Sequence, residues 1–190
     1  MRRATIRRKT KETEVEVKLN LDGSGESRIQ TPIRFFNHLL AAFAKHGCFD
    51  LSVKASGDLP HHIAEDVMIT LGEALTKALK DKKGIERMGE AIIPMDDALV
   101  LVAVDLSGRA YLDIRCKFRK KQLDDLSSDL FTHLLQTFAT VGGFNLHVEI
   151  MRGFNDHHKA EAVFKALGIA LRRATGKTSR RKIASTKGVL

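Results

Sequence analysis

The sequence repeats one pattern of potential metal ligands, and this duplication limits the folds that the chain can adopt. His61-His62-x-x-Glu65 recurs 96 residues later as His157-His158-x-x-Glu161. The flanking sequence repeats as well, because residues 36–53 align without gaps on residues 131–148, with identity at ten of eighteen positions. Two copies are too few for a repeat array, so we expect a single domain, residues 1–190, with pseudo-twofold halves of approximately 1–90 and 91–190.

Hydrophobic periodicity predicts a pair of strands near the start of each half. Residues 12–20 alternate apolar and polar side chains, and the glycine-containing turn at 22–25 leads into a second short strand. Residues 98–106 and 109–118 flank Ser107-Gly108 in the same way. We therefore expect a β-hairpin in each half.

The rest of each half reads as helix, strand and longer helix. Helical periodicity covers residues 35–45 and 62–79 in the first half and 128–140 and 158–173 in the second, with strands at 49–55 and 144–151. The order ββαβα, present twice, predicts an α+β fold in which two four-stranded sheets pack around the helices of both halves.

Helix geometry limits how the repeated residues can share a metal ion. Residues four apart lie on one helix face, whereas adjacent residues diverge by ~100°. His61 can therefore join Glu65 on one ion, while His62 points elsewhere, and the second copy behaves in the same way. We expect a reciprocal arrangement of two ions, the first held by His61, Glu65 and His158 and the second by His157, Glu161 and His62.

A further repeated histidine offers each ion a fourth ligand. His38 and His133 occupy equivalent places on the preceding helices, about 23 residues before each histidine pair. Imidazole and carboxylate ligands without thiolate suit manganese, iron or zinc. An ion with open coordination positions could support catalysis.

Composition limits the class of protein. The net charge of +9 is compatible with a basic nucleic-acid-binding α+β module, but the chain has no Trp and one Tyr, and that module would leave eight repeated ligands unused. A two-metal hydrolase is the other alternative, although such sites are usually richer in bridging carboxylates. We therefore favour a metal-dependent enzyme acting on a phosphorylated small molecule, with no nucleic-acid partner.

The sequence contains no candidate membrane segment. Its longest apolar stretch, residues 98–104, is far shorter than the ~20 residues that span a bilayer. We expect no membrane partner and a cytoplasmic location.

Motifs spread over almost the whole chain resemble one enzyme family. They are Thr10-Lys-Glu-Thr13, Asn37-His-Leu-Leu40, His46-Gly-x-Phe-Asp-Leu51, His61-His-x-x-Glu-Asp66, Asp105-Leu-Ser-Gly-Arg109, Gly153-x-Asn-x-His-His158, Glu161-Ala-x-Phe-Lys165 and Ser185-Thr-Lys-Gly188. Together they resemble the imidazoleglycerol-phosphate dehydratases of histidine biosynthesis. The resemblance implies a fold like that of ribosomal S5 domain 2 and a homo-oligomer of 24 subunits built from trimers.

The resemblance also implies the reaction and its metals. Enzymes of this family remove water from D-erythro-imidazole glycerol phosphate to give imidazole acetol phosphate, with two manganese ions per active site. Carried over by motif, the first ion would be held by His38, His61, Glu65 and His158, and the second by His62, His133, His157 and Glu161.

The same motifs imply the residues that bind and convert the substrate. The substrate positions would be Glu12, His46, Arg87, Arg109, Lys165, Ser185, Thr186 and Lys187. The cations and hydroxyls in this set would form a cradle for phosphate. The catalytic candidates are Glu12, His62, Glu65 and Glu161, and either Glu12 or a water held by a metal would transfer the proton.

Overall fold

A computed structural model of the chain describes residues 1–179 and 182–188. The first half contains β1 (Arg3–Lys9), β2 (Thr13–Asn20), β3 (Ser27–Gln30), α1 (Arg34–Gly47), β4 (Asp50–Gly57) and α2 (Pro60–Leu79). The second half contains β5 (Met88–Met95), β6 (Ala98–Asp105), β7 (Tyr111–Arg115), β8 (Gln122–Leu123), β9 (Leu126–Ser127), α3 (Ser128–Gly142), β10 (Asn145–Arg152) and α4 (Asp156–Ala174).

The strands form two four-stranded sheets with equivalent orders, β1-β2-β4-β3 and β5-β6-β10-β7. Alternation places one face of each strand inward, as Val15, Val17 and Leu19 of β2 show, since all three are at most 3% exposed. The helices lie between the sheets, where α1 and α2 contact the first sheet and α3 and α4 contact the second. The predicted α+β fold with two four-stranded sheets around the helices is confirmed.

Glycine allows the helices to cross closely in two places. A β-carbon on Gly168 of α4 would lie 2.4 Å from the carbonyl oxygen of Phe43 in α1, and one on Gly72 of α2 would lie 2.9 Å from the backbone nitrogen of Gly142 in α3. No larger residue fits at that separation without a shift of backbone. The result is that α1 packs on α4 and α2 packs on α3.

All four predicted helices are present, with ends within two residues of the expected ones. The predicted hairpins are wrong, because β4 lies between β2 and β3 and pairs in parallel with β3. In the second sheet β10 separates β6 from β7 in the same way. The glycine-containing turns thus predicted where the chain reverses direction, but they did not predict which strand pairs with β2 or β6.

Each half also contains an edge strand in addition to the expected ββαβα, and the second half contains the short pair β8 and β9 as well. β1 and β5 were missed, and both are edge strands. In β1 the outward residues are mainly Arg and Lys, so the inward alternation typical of a strand is weak. None of the helices in the described ranges is long and apolar enough to cross a membrane.

Candidate metal centre

Two clusters of histidine and glutamate lie at the N-terminal ends of the four helices. The Glu65 cluster consists of His61, Glu65 and His133. His133 Nε2 is 3.0 Å from Glu65 Oε1, and His61 Nε2 is 3.9 Å from Glu65 Oε2. The His61 and His133 rings are stacked, with centroids 5.6 Å apart.

The Glu161 cluster consists of His38, His157 and Glu161. Glu161 Oε2 is 3.0 Å from His38 Nε2 and 3.4 Å from His157 Nε2. Glu161 is the more buried carboxylate, since its side chain is 10% exposed against 34% for Glu65. Burial alone would raise the pKa of Glu161, but hydrogen bonds from His38 and Lys165 outweigh it and lower the pKa below its ordinary value.

Helix crossings explain why these residues meet. Within a helix, His61 and Glu65 share a face, as do His157 and Glu161, because they are four residues apart. The crossing of α2 and α3 then brings His133 to the first pair, and the crossing of α1 and α4 brings His38 to the second. Every ligand lies within the first six residues of its helix.

The donor sets fit a divalent ion. In each cluster one atom from each of the three residues lies within 4.8 Å of the others. Ligand atoms ~2.0–2.2 Å from a zinc-like ion are themselves about 3–3.5 Å apart, close to the separations in both clusters. Two imidazoles and one carboxylate suit manganese, iron or zinc, and three ligands leave coordination positions open.

Within the chain, the clusters group two of the expected ligands differently from the sets that the resemblance implies. The resemblance implies that His38 joins His61 and Glu65, and that His133 joins His157 and Glu161. Within the chain, His133 lies with His61 and Glu65, and His38 lies with His157 and Glu161. Sequence spacing could not distinguish the two, because His38 and His133 occupy equivalent positions in the duplication. Only the packing of α1 on α4 and of α2 on α3 separates them.

His62 and His158 lie outside both clusters, as the divergence of adjacent helix residues requires. Each ring has its Nδ1 on a carboxylate: His62 on Asp58 at 2.9 Å and His158 on Asp97 at 2.6 Å. The hydrogen bond to Asp58 is the main cause that raises the pKa of His62. Backbone N–H groups of Asn155 and Phe154 hold the pKa of Asp97 well below its ordinary range, and His158 adds to this effect.

Two predicted substrate residues, Glu12 and Lys165, lie near these helix ends, and a third, His46, lies close to Lys165. Glu12 follows β1, and its carboxylate is 3.7 Å from His62 Nδ1. Lys165 Nζ is 2.8 Å from Glu161 Oε1, which gives the Glu161 cluster a neighbouring cation. His46 lies in the last turn of α1, and burial together with the Lys165 ammonium lowers its pKa.

The other predicted substrate residues lie elsewhere. Arg87 donates its backbone N–H to the carbonyl of Ala174, at the end of α4, which is about 20 Å from Glu161 at ~1.5 Å per helical residue. Its guanidinium forms two hydrogen bonds with Asp105, at 2.7 and 2.9 Å, and one with the carbonyl of Ala184 at 2.7 Å.

That contact with Ala184 places the C-terminal segment on the same side of the molecule as Arg87. Ser185, Thr186 and Lys187 follow Ala184, and Ser185 Oγ accepts the backbone N–H of Lys187. Arg109 lies exposed in the turn after β6, and its guanidinium forms no ion pair within the part of the chain that the structure describes. The predicted phosphate cradle therefore lies far from the clusters of its own chain.

Sequence reasoning missed the carboxylates that support the histidines. They are Asp58, Asp97 and Asp124, each bonded to a histidine Nδ1. Asp58 could have been found, because it precedes His62 by four residues, but the others are distant in sequence. A carboxylate on Nδ1 fixes the tautomer and leaves Nε2 for a metal.

The fold and the two clusters define the class of protein: an α+β chain with a pair of His/Glu sites of the kind that bind divalent metal ions. Comparison of the chain with known proteins identifies the family within this class. A family model described as imidazoleglycerol-phosphate dehydratase matches residues 31–171. Curated proteins of that name from Dehalococcoides mccartyi and Methanocella arvoryzae are each 51% identical to this chain over its whole length. The aligned regions cover 97% and 100% of those two proteins.

Solved structures agree. The crystal structure of IGPD from Pyrococcus furiosus in complex with (S)-C348 has a TM-score of 0.83 and 40% identity, covering 97% of this chain and 100% of that one. The dehydratase from Staphylococcus aureus has a TM-score of 0.85 and 33% identity, with 93% and 99% covered. The chain belongs to the imidazoleglycerol-phosphate dehydratase family. It is a hydro-lyase of histidine biosynthesis, which confirms the predicted family and reaction and replaces the hydrolase and nucleic-acid alternatives.

Proposed function

We propose that each chain supplies three ligands to each of two manganese ions and that a second copy supplies the fourth. The Glu65 cluster would be completed by His158 of the partner subunit, and the Glu161 cluster by His62 of the partner subunit. The observation that carries this proposal is the geometry of His62 and His158, which lie apart from both clusters with Nδ1 on a carboxylate. With Nδ1 held by a carboxylate, each ring would offer Nε2 to an ion outside its own chain. For His158 that ion would replace the contacts of Nε2 with Asn155 Nδ2 at 3.3 Å and Asp96 Oδ2 at 3.5 Å.

This arrangement retains the reciprocal pairing expected from helix geometry. His158 still joins His61 and Glu65, and His62 still joins His157 and Glu161, but between copies. Each cluster already combines ligands from both halves of the chain. We therefore also propose that residues 1–190 form one domain with halves of about 1–90 and 91–190.

The position of the residues expected to bind phosphate supports the same assembly. Arg87 and the C-terminal segment lie about 20 Å from Glu161 in their own chain, too far for one small substrate to reach both. We propose that the substrate binds between copies, with its imidazole at the clusters. Its phosphate would contact Arg87, Arg109, Ser185, Thr186 and Lys187 of a partner subunit, while Lys165 and His46 remain beside the metals.

In imidazole acetol phosphate the ketone lies on the second carbon from the ring, so dehydration removes the hydroxyl from the carbon beside the imidazole ring and a proton from the next carbon. The hydroxyl leaves only if the ring, after losing its N–H proton, supplies the electron pair that expels it, and this requires stabilisation of the imidazolate. A divalent ion bound to a ring nitrogen supplies this stabilisation as a Lewis acid. Glu65 and Glu161 would hold the ions, and His62 would bind the second ion while contacting Glu12.

Glu12 is the candidate base. Its carboxylate is exposed beside His62, and its backbone N–H donates to Thr10 Oγ1 at 3.1 Å, which fixes the turn between β1 and β2. A carboxylate in this position can accept the proton and return it to the leaving hydroxyl.

Metal stoichiometry and turnover test the ligand assignment. Glu65→Ala and His157→Ala should each lower bound manganese from two ions per chain to about one and abolish turnover, because each removes a ligand of one cluster. His147→Ala is the matched control, since His147 is exposed on β10 and belongs to neither cluster. If Glu65→Ala or His157→Ala keeps the parental metal content and rate, the assignment is wrong.

Mixed assemblies test the contribution of a second copy. Glu65→Ala and His158→Ala should each be inactive alone. Combined in one assembly, a His158→Ala chain still offers an intact Glu65 cluster, and a neighbouring Glu65→Ala chain still offers His158. Part of the activity should therefore return on mixing, and no recovery after verified exchange of subunits would favour a site within one chain.

A further inference from the structure

The hairpin of β8 and β9 has no counterpart in the first half of the chain. Only residues 31–33 separate β3 from α1, whereas the segment between β7 and α3 runs from 116 to 127 and contains the hairpin. Leu123 and Leu126 fix the hairpin in the core, since they are 2% and 1% exposed. The tip between them consists of Asp124, with a φ of 52°, and Asp125.

Asp125 acts as the cap of α1 from ninety residues away. The residue that precedes the helix, Ile33, provides no side-chain hydrogen bond. Asp125 instead accepts the backbone N–H groups of Arg34 at 2.6 Å and Phe35 at 2.9 Å. These N–H groups have no partner within the helix, and a carboxylate is favoured at the positive end of the helix dipole.

This cap fixes the part of α1 that presents His38. His38 lies four residues after Arg34, on the same face of the helix. Phe35 packs against the His157 ring at 4.7 Å between centroids. A change in the start of α1 would therefore move His38 relative to His157.

Asp124 fixes the other histidine of the same cluster. Its Oδ2 accepts from His157 Nδ1 at 2.7 Å. That bond leaves Nε2 of the ring directed at Glu161, 3.4 Å away. Two consecutive residues of one hairpin thus orient both histidines of the Glu161 cluster.

The Glu65 cluster uses neither aspartate. His133 lies on α3, whose first turn is capped by Ser127 Oγ through the N–H of Leu130. His61 follows Pro60, which is the first residue of α2. The two clusters therefore have similar ligands but different supports.

We propose that Asp124 and Asp125 are positioning residues that set the geometry, and hence the metal affinity, of the Glu161 cluster alone. The inference rests on the proposed metal function of the two clusters. Removing a carboxylate that orients a ligand histidine typically lowers metal affinity about 10–100-fold. The hairpin thus makes two sites with nearly identical ligands independent of each other.

The role of Asp124 and Asp125 can be tested by titrating manganese into metal-free protein that carries either Glu65→Ala or Glu161→Ala. In Glu65→Ala only the Glu161 cluster remains, so adding Asp124→Asn or Asp125→Ala should weaken the remaining ion about tenfold or more. In Glu161→Ala only the Glu65 cluster remains, and the same substitutions should leave its affinity unchanged. Electron paramagnetic resonance of bound manganese reports each site without turnover.

Asp129→Asn is the matched control. Asp129 is an exposed residue of the first turn of α3, so its substitution removes one negative charge near the hairpin without changing a contact to α1 or His157. An equal loss with Asp129→Asn, or an equal loss in both backgrounds, would overturn the inference by assigning the effect to general charge or to misfolding. Unchanged affinity in the Glu65→Ala background would also overturn it. If Glu65→Ala and Glu161→Ala do not each remove one ion, the proposed metal function itself fails, and the two failures are thereby distinguished.

Discussion

Lys159 and Asp156 form a buried ion pair in the first turn of α4, and removing the cation should strongly destabilise the fold. Their side chains are 4% and 6% exposed, and Lys159 Nζ is 2.8 Å from Asp156 Oδ1. Asp156 Oδ2 also accepts the backbone N–H groups of Arg119 at 2.8 Å and Lys120 at 2.9 Å. The pair therefore holds the segment before the β8–β9 hairpin against the helix that carries His157.

Lys159→Met retains most of the side-chain volume but leaves the Asp156 carboxylate buried without its cation. Removing one partner of a buried ion pair costs about 3–5 kcal/mol. Asp156 keeps its two backbone hydrogen bonds and lies at the positive end of α4, so we expect the lower limit, about 3 kcal/mol. At about 2–4 °C per kcal/mol for a chain of this size, the thermal midpoint should fall by about 6–12 °C.

The effect should depend on pH. Burial alone would raise the pKa of Asp156, but hydrogen bonds from Lys159 and from the backbone of Lys120 and Arg119 outweigh it, and the pKa lies below its ordinary value. Because the pKa of Asp156 is lower in the folded state than in the unfolded state, the ionised carboxylate stabilises the fold above about pH 4. This stabilisation is lost as the pH falls through the pKa of the folded state. The difference between variant and parent should therefore shrink in acid.

Scanning calorimetry of chelator-treated protein measures both effects. Lys77→Met is the control, because Lys77 is exposed on α2 and its replacement should change stability by no more than about 0.5 kcal/mol. A midpoint for Lys159→Met within about 2 °C of that control at neutral pH would refute the argument.

Three further predictions concern the substrate, the N-terminal strand and the assembly. Arg109→Ala should raise the Michaelis constant about tenfold while two metal ions stay bound, since a charge-assisted bond to phosphate contributes about 1.5–3 kcal/mol; an unchanged constant would make Arg109 a surface residue. Hydrogen bonds from Arg2 lower the pKa of Asp22 to about 2, so Asp22→Asn should cost about 1–2 kcal/mol at neutral pH. That cost should be lost between about pH 4 and pH 2 in chelator-treated protein, and a difference that persists at pH 2 would argue against the ion pair. The family resemblance implies a 24-mer, and chelation should shrink such an assembly towards trimers in light scattering, with manganese restoring it, because ions bound only between copies would stabilise the assembled state. Particles of constant size would show that the metals do not bridge copies.

The local part of the site could be predicted from the sequence because its geometry is local. The helical repeat places His61 beside Glu65 and His157 beside Glu161 wherever these helices lie, and it directs His62 and His158 away from them. The same reasoning gave the helices to within two residues, since their amphipathic patterns are long. The edge strands β1 and β5 were missed because few of their side chains are buried.

The long-range part of the site required the tertiary structure. His38 and His133 are interchangeable by spacing, and only the close crossings at Gly168 and Gly72 assign each to its cluster. The carboxylates Asp97 and Asp124 reach their histidines from loops more than thirty residues away. The sequence by itself therefore determined which residues share a helix face, whereas the packing of helices from opposite halves decided which faces meet, because that contact depends on the whole core rather than on any local repeat.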